Sequence, residues 1–327
     1  MKFKRKKILV TGGSGFIPSH LTKRLLNEGA DVYITTKYNS IIDNVRLSSV
    51  WNDIHVIEAD LRNLDSLRQL DKIKPDVIYH MAAYNHVGDS FLHVSEAMQC
   101  NAVATANLFQ SYREFNKFIY ISTSEVYGYQ ASVPFQEEMT PCPISPYAVG
   151  KYSGELFAKM MHHVYNLPVA VVRPFNTFGP YQSPRAIIGE IIIKCLLNEE
   201  IKATKGKQTR EFNYIENIVD GLVAAGKEER SSGQVINIAS GQEISIRELI
   251  KVVHKLTDSK SKLKFGALPY RPTEIWRMCG DNTRAQDILK WRPMIAFEKG
   301  LVHTIKWYKK YLDVFKDKQS QLNLLCD

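Results

Sequence analysis

The chain is poor in cysteine, with five in 327 residues. Cys100, Cys142, Cys195, Cys279 and Cys326 are odd in number and widely scattered. They form neither a disulfide framework nor a metal-ligand pattern. A run of 18 or more apolar residues, the length needed to cross a bilayer, is also missing. The richest run, "AIIGEIIIKCLL", is broken by Glu190 and Lys194. The start, "MKFKRKKILVTGG", is basic, but only three apolar residues follow before a glycine turn. That is too short for a signal-peptide core. Internal repeats and low-complexity linkers are absent. These absences predict a reduced, cytoplasmic chain with no metal site and no membrane partner.

Charge is unbalanced, with 43 basic and 34 acidic residues and a formal net charge of +9. The excess sits in "KFKRKK", in Lys251–Lys264 and in "KWYKKYLDVFKDK". These read as solvated faces and termini. A basic stripe interleaved with stacking aromatics is lacking, so no nucleic-acid partner is expected. Hydrophobic content of 44% and charged content of 24% are ordinary for a globular chain. The length allows one large domain or two smaller ones.

What the chain does have is alternation. "KILVTGG", "DVYITT", "IHVIEAD", "PDVIYHMAA", "KFIYISTSE" and "PVAVVRPF" are short β-rich runs. Helical stretches separate most of them: "PSHLTKRLLNEG", closed by Gly29, then "LDSLRQLDKI", "VSEAMQCNAVATANLFQSYREF" and "PYAVGKYSGELFAKMMHHVY". Buried strands alternating with helices predict an α/β fold with a doubly wound parallel sheet. Ligands of such sheets sit at the carboxyl ends of the strands. After about residue 174 the elements shorten and loops rich in Pro and Gly intervene.

"VTGGSGFIPSH" runs from a strand through Gly12, Gly13 and Gly15 into a helix. Glycines permit the tight turn and let backbone N–H groups approach a pyrophosphate at a positive helix N-terminus. Gly12, Gly15, Phe16 and Ile17 are therefore the expected cofactor contacts. Pro18 stands where the fingerprint has a third small residue, a place where a first helical turn tolerates proline. This turn predicts a Rossmann dinucleotide-binding domain over residues 1–173, plus about 213–240. A smaller C-terminal substrate-binding region then takes 174–212 and 241–312, followed by a tail at 313–327. The next strand ends in "ITTKYNS", where an acid for the NAD ribose would normally stand. Thr36 and Lys37 stand there instead. Lys37 suits a 2′-phosphate, which allows NADP, and reads equally well as a solvated lysine. Asp60 in "EADLR", beside Leu61, suits the adenine amino group or a helix cap. Ala82 in "HMAA" completes the cofactor set, while His80 there reads as structural.

"YISTSEVYG" places Ser122, Thr123, Ser124 and Glu125 at a strand end. Tyr147 and Lys151 follow, four residues apart, and so share a helix face. A phenol of pKa ~10 is a poor base at neutral pH. A neighbouring ammonium and a cationic nicotinamide favour the phenolate, which suits removal of a hydroxyl proton. His86 and Ser90 lie in the loop expected to reach the sugar of such a substrate.

The glycine turn at 12–15, "HMAA" at 80–83, Asn101, "STSEVYG" at 122–128, "SPYAVGK" at 145–151 and "RPFNTFGP" at 173–180 occur in order. "QTREFNYIENIVDGL" at 208–222 and "RPTE" at 271–274 extend them. The chain resembles the extended short-chain dehydrogenase/reductase family, in its sugar-nucleotide epimerase/dehydratase branch. The resemblance implies NAD as cofactor, with NADP not excluded, and a nucleotide-diphosphate sugar as substrate. It implies Tyr147 as base, Lys151 on the nicotinamide ribose and Thr123 on the sugar. Asn176, Arg185 and Arg210 are implied to hold the diphosphate or nucleotide, with Glu274 of "RPTE" beside them. It also implies a homodimer through helices near 94–114 and 147–165. Glu125 resembles the C5 base of 4,6-dehydratases, with Ser124 where the dTDP-glucose type carries its acid. "KYNS" and "VRPFNTFGPYQSPRAIIG" are similar to nucleotide-linked N-acetylglucosamine 4,6-dehydratases. A UDP-glucuronate decarboxylase and a 4-epimerase are the rival activities, and the former should need a cation that "CPISPYAVGK" lacks before Tyr147. A non-catalytic sensor on this fold has no need of the Tyr147–Lys151 pair.

Overall fold

The computed structural model describes residues 1–37, 45–271 and 274–315. Seven strands form the central sheet: β1 (Lys7–Val10), β2 (Asp31–Thr36), β3 (His55–Glu58), β4 (Val77–His80), β5 (Lys117–Ile121), β6 (Val169–Pro174) and β7 (Val235–Ile238). Their spatial order is β7-β6-β5-β4-β1-β2-β3, and every neighbouring pair is parallel. The chain therefore enters mid-sheet, winds outward to β3, and returns to build the other half from β4. The crevice where the winding reverses, between β1 and β4, is where such sheets bind ligands.

Both faces of the sheet are covered, which explains why its strands read as continuous apolar runs. Successive side chains point to opposite faces. Ile8, Val10, Val77, Tyr79, Ile119 and Ile121 join one core. Leu9, Ile78, Phe118 and Tyr120 join the other. The first core is closed by α1 (Phe16–Asn27), through Leu21 and Leu25. The second is closed by α2 (Ala104–Ser111) and α3 (Pro146–Tyr165), through Leu108, Phe109, Ala158 and Met161.

Helix α3 begins and ends where its sequence says. Ser145 caps it by accepting from the Ala148 N–H at 3.1 Å, Pro146 occupies its first turn, and Asn166 leaves it in the left-handed region. Gly29 likewise follows α1 with φ +77°. The segment before α2 is less regular. A helical turn at Val94–Met98 passes through a π-turn at Gln99–Val103 before α2 begins. "LDSLRQLDKI" folds as two short turns, Leu64–Leu67 and Leu70–Ile73.

Beyond β6 the elements shorten. Thr177–Phe178 pairs with Asn213–Tyr214, Thr209–Glu211 with Glu243–Ser245, and Ile201–Ala203 with Leu263–Phe265. Helices α4 (Ile187–Leu197) and α5 (Ile215–Lys227) add to the first core. Residues 316–327 of the expected tail, Tyr38–Ser40 of "KYNS", and Pro272 and Thr273 of "RPTE" lie outside the described residues.

Candidate active site

The carboxyl ends of β1, β2, β4, β5 and β6 open into one cleft of about 670 Å³. At its head is the glycine turn. Gly12 has φ +66°, and a Cβ there would stand 2.9 Å from the Ala82 Cα, so only glycine fits. Thr11 Oγ1 accepts from the N–H groups of Met81 and Ala82, both at 2.9 Å, and so ties the turn to the loop after β4. His80 bridges Thr11 and Thr105 through its two ring nitrogens, and burial holds it neutral, with its pKa lowered to about 3. Gly15 caps α1 without a side-chain acceptor, so the helix presents free N–H groups to the cleft. The first intrahelical donor is the Ser19 N–H, to the Gly15 carbonyl at 3.0 Å. Pro18 therefore removes no hydrogen bond. Its ring packs on Gly15, where an added Cβ would lie 3.1 Å from the Pro18 Cγ.

Gly12, Gly15, Phe16, Ile17, Thr36, Lys37, Asp60, Leu61 and Ala82 all line this cleft. Asp60 accepts from the Arg62 backbone N–H and from its guanidinium, which holds the carboxyl below its ordinary range. Asp60 does not cap the following helix. Asn63 does, accepting from the Asp65 N–H at 3.0 Å. Thr36 is buried and its hydroxyl has no partner among the described residues. A glycine cradle with no room for a Cβ, a helix N-terminus and an orphan hydroxyl fit an extended dinucleotide.

The other half of the cleft carries Ser122, Thr123, Ser124, Glu125, Tyr147 and Lys151. Thr123 leaves β5 extended and caps the short turn Ser124–Tyr127, accepting from the Glu125 N–H at 3.2 Å. Tyr147 and Lys151 come one helical turn apart on α3. Burial pushes the Tyr147 phenol up to about 12, a hydrogen bond to Thr123 offsets part of this, and the Glu125 carboxylate adds to it. Burial pulls the Lys151 ammonium down to about 7, opposed by the charge of Glu155. Its Nζ lies 4.6 Å from the Tyr120 ring centre. The Glu125 carboxyl is raised by burial, with Arg210 opposing and Glu274 reinforcing the shift. Ser124 Oγ points to the Met278 sulfur at 3.5 Å.

The expected substrate residues divide. His86 and Asn176 line the cleft. Ser90, Arg185, Arg210 and Glu274 are not on its wall. Buried Ser90 accepts from the Tyr147 backbone N–H at 3.2 Å, so it holds the start of α3. Arg210 pairs with Glu274 at 2.7 Å and also donates to the Ile275 carbonyl. Exposed Arg185 pairs with Asp89, whose carboxylate also lies 3.1 Å from His86. Three residues without an assigned role hold the wall that carries Tyr147 and Lys151. Asn101, on the π-turn, accepts from the Tyr84 N–H at 2.8 Å and donates to the Tyr84 and Tyr147 carbonyls; such turns often mark functional positions. Glu155 and Arg173 form a buried pair behind Ser122. Asn101 and Arg173, the first residue of "RPFNTFGP", were visible in the sequence as motif residues, whereas Glu155 gave no local signal.

Fold and cleft together define a dinucleotide-binding α/β protein with a tyrosine–lysine pair on one wall. The chain belongs to the extended short-chain dehydrogenase/reductase family of nucleotide-sugar epimerases and dehydratases. A family model described as GDP-mannose 4,6 dehydratase matches residues 9–304. The chain is 31% identical to a UDP-glucose 4-epimerase of Mycolicibacterium smegmatis, over 93% of this chain and 98% of that one. It is 30% identical to the Homo sapiens dTDP-D-glucose 4,6-dehydratase, over 97% of this chain and 94% of that one. It superposes on the UDP-glucuronic acid 4-epimerase of Bacillus cereus, solved with UDP-glucuronic acid and NAD. That match has a TM-score of 0.86 and 30% identity, covering 93% of this chain and 99% of the other. Relatives at the same distance thus carry different reactions on one scaffold. No helix among the described residues is long and apolar enough to cross a membrane.

Proposed function

We propose that this chain is a nucleotide-sugar 4,6-dehydratase. The observation that carries the reading is Glu125, a half-buried carboxyl on the cleft wall whose charge raises the Tyr147 pKa. A plain 4-epimerase needs one proton acceptor at C4, and Tyr147 supplies it. A second base in the same wall suits removal of the C5 proton. The glycine turn and Lys151 would hold a nicotinamide dinucleotide, which when bound would supply the hydride acceptor and donor that the reaction needs.

The chain's own residues do the rest. Tyr147 Oη takes the proton of the C4 hydroxyl, and Thr123 holds the oxygen. Lys151 orients the ribose and stabilises the phenolate. The resulting C4 ketone acidifies C5, whose proton passes to the Glu125 carboxylate. A raised pKa makes that carboxylate a stronger base. Ser124 carries no ionisable proton and points to Met278. Glu125 therefore hands the captured proton to the departing C6 hydroxyl, which leaves as water; the carboxylate then takes a proton from solvent and delivers it to C5 when hydride adds at C6. The product is a 4-keto-6-deoxy sugar nucleotide. A second copy of the chain is the proposed partner, docked on the face where Val103, Val149 and Leu156 are exposed.

The test is incubation with UDP-, GDP- and dTDP-sugars in heavy water, followed by mass spectrometry. Loss of water with one solvent deuterium retained is the expected result. An unchanged mass with a new stereoisomer overturns it in favour of an epimerase. Loss of carbon dioxide from a uronate overturns it in favour of a decarboxylase.

A further inference from the structure

The loop 179–186, between the short strand Thr177–Phe178 and α4, is pinned by side chains from three parts of the fold. Three consecutive carbonyls each accept one hydrogen bond. Pro180 accepts from His20 Nε2 of α1 at 3.0 Å, and Tyr181 from Nε of Arg46, in the turn Val45–Asp53, at 3.0 Å. Gln182 accepts from Tyr308 Oη of the helix Phe297–Lys310 at 2.7 Å. The Tyr181 ring meets both Lys23 Nζ and the Trp307 ring, each 4.9 Å from its centre. Tyr181 itself has φ +67°, a left-handed conformation that a bulky residue keeps only where its surroundings force it.

The Arg46 guanidinium also reaches the glycine turn. Its Nη1 donates to the Ser14 carbonyl at 3.3 Å. The N–H at the other end of that peptide, on Gly15, donates to the Gly12 carbonyl at 2.9 Å. The Ser14–Gly15 peptide, on the cleft wall, is thus fixed at both ends. Arg46 is itself off that wall. One planar fork therefore joins the turn that faces the dinucleotide to a loop beyond the cleft.

The far end of the loop crosses the mouth. Arg185 pairs with Asp89 at 3.1 Å, beside His86. In the sheet, β4 and β6 flank β5. Arg185, beyond β6, and Asp89, beyond β4, therefore meet across the strand that leads to Thr123 and Glu125. The two side chains are 59% and 33% exposed, and a pair of that kind holds weakly on its own. Its closure depends on how firmly the rest of the loop is seated.

We propose that Arg46 is a positioning residue that couples the two halves of the cleft. A dinucleotide that settles the glycine turn also seats loop 179–186 through Arg46, and with it the Arg185–Asp89 closure. The inference rests on the dinucleotide reading above.

The experiment is amide hydrogen exchange of the full chain, read by mass spectrometry with and without saturating NAD, on the parent, Arg46→Ala and Arg46→Lys. None of residues 179–186 lines the cleft, so NAD does not cover them directly. In the parent, NAD should slow exchange in this loop by about threefold or more. In Arg46→Ala the slowing should vanish while calorimetry still shows NAD bound. Arg46→Lys keeps the charge without the planar fork, so it should hold NAD affinity within about threefold and still lose most of the slowing. Unchanged slowing in both variants overturns the inference, and so does NAD that binds the parent without slowing the loop. Faster exchange spread evenly over β5, β6 and the loop in both variants would mean a general folding defect and also overturns it. A parent that binds no NAD overturns the cofactor reading itself.

Discussion

Glu155 and Arg173 form an ion pair with 0% and 2% side-chain exposure, one helical turn beyond Lys151. Arg173 Nε donates to Glu155 Oε2 at 3.1 Å and Nη2 to Oε1 at 2.5 Å. Ser122 Oγ donates to the same carboxylate at 2.7 Å. Arg173 lies over the Tyr127 ring at 4.7 Å, and Tyr127 donates to Asn237 at 2.7 Å. The pair therefore locks α3, β5, β6 and β7 behind the wall that carries Tyr147 and Lys151. Removing one partner strands a buried charge. Glu155→Gln should cost roughly 3–5 kcal/mol of unfolding free energy. Replacing both partners by apolar residues of similar volume should cost much less. Urea titration of the single and double variants checks this, and equal losses would mean that the pair itself contributes little.

Tyr147→Phe removes one oxygen from the cleft and leaves the packing of α3 intact. Turnover should fall by roughly a hundredfold to ten-thousandfold, the range for loss of a positioned acid–base group. Dinucleotide affinity should stay within a factor of two or so, because Lys151 and the glycine turn remain. Steady-state rates and calorimetry separate the two effects. Near-parent turnover would remove Tyr147 as the base.

Glu125→Gln keeps the shape and deletes the second base. Water loss should drop at least about a hundredfold, while oxidation at C4 survives. A single-turnover experiment should then show nicotinamide absorbance near 340 nm rising and persisting, instead of decaying as the hydride returns. Persistent absorbance with no 4-keto-6-deoxy product places Glu125 after the first hydride step. Unchanged dehydration would eliminate it.

Much of the molecule was legible beforehand, for physical reasons that differ by element. Helix α3 was legible as the stretch "PYAVGKYSGELFAKMMHHVY", and the structure starts and stops it there with local capping at Ser145, Pro146 and Asn166. The strands announce themselves because a sheet covered on both faces needs apolar residues at every position. The glycine turn is legible because Gly12 has no room for a Cβ against Ala82. What stayed hidden depends on contacts distant in sequence. Asp60 read as a helix cap or an adenine contact, yet the cap is Asn63, and Asp60 is held by the Arg62 guanidinium two residues on. Ser90 looked like a sugar contact, yet it sits behind Tyr147 as a backbone acceptor. Glu155 lies on a helix that reads as amphipathic, where a carboxylate ordinarily faces water. Its burial is set by Arg173, on a strand eighteen positions away.

The apolar face made by Val103, Val149 and Leu156 is exposed in the single chain. It is carried by the segment around the π-turn and by α3, which pack closely because Gly154 presses on the Asn101 carbonyl, where a Cβ would come within 2.5 Å. Two copies of this face would bury those side chains together. Leu156→Glu should therefore shift sedimentation from a dimer to a monomer, with the far-ultraviolet spectrum unchanged. A parent chain that sediments as a monomer at micromolar concentration would refute the pairing.

Lys151 gives the molecule a pH signature that can be read without substrate. Its pKa in the fold is about 7, against 10.5 for the free side chain, because burial disfavours the charged form. Between those values the unfolded chain binds a proton that the folded chain has released. Stability therefore rises with pH across that window, and this contribution is lost as pH falls toward 7. One group can supply a slope of at most about 1.4 kcal/mol per pH unit. Lys117 has its pKa lowered to about 8 and adds a slope of the same sign over part of the range, so the parent curve alone is not diagnostic. The difference between the parent and Lys151→Met isolates the group. Urea unfolding at pH 7, 8 and 9 should show the parent gaining on the variant at each step. A constant difference would mean that Lys151 keeps its proton in the fold. Tyr147 would then face a full ammonium in the free enzyme. In that case its phenolate would not have to await the positive charge of a bound nicotinamide.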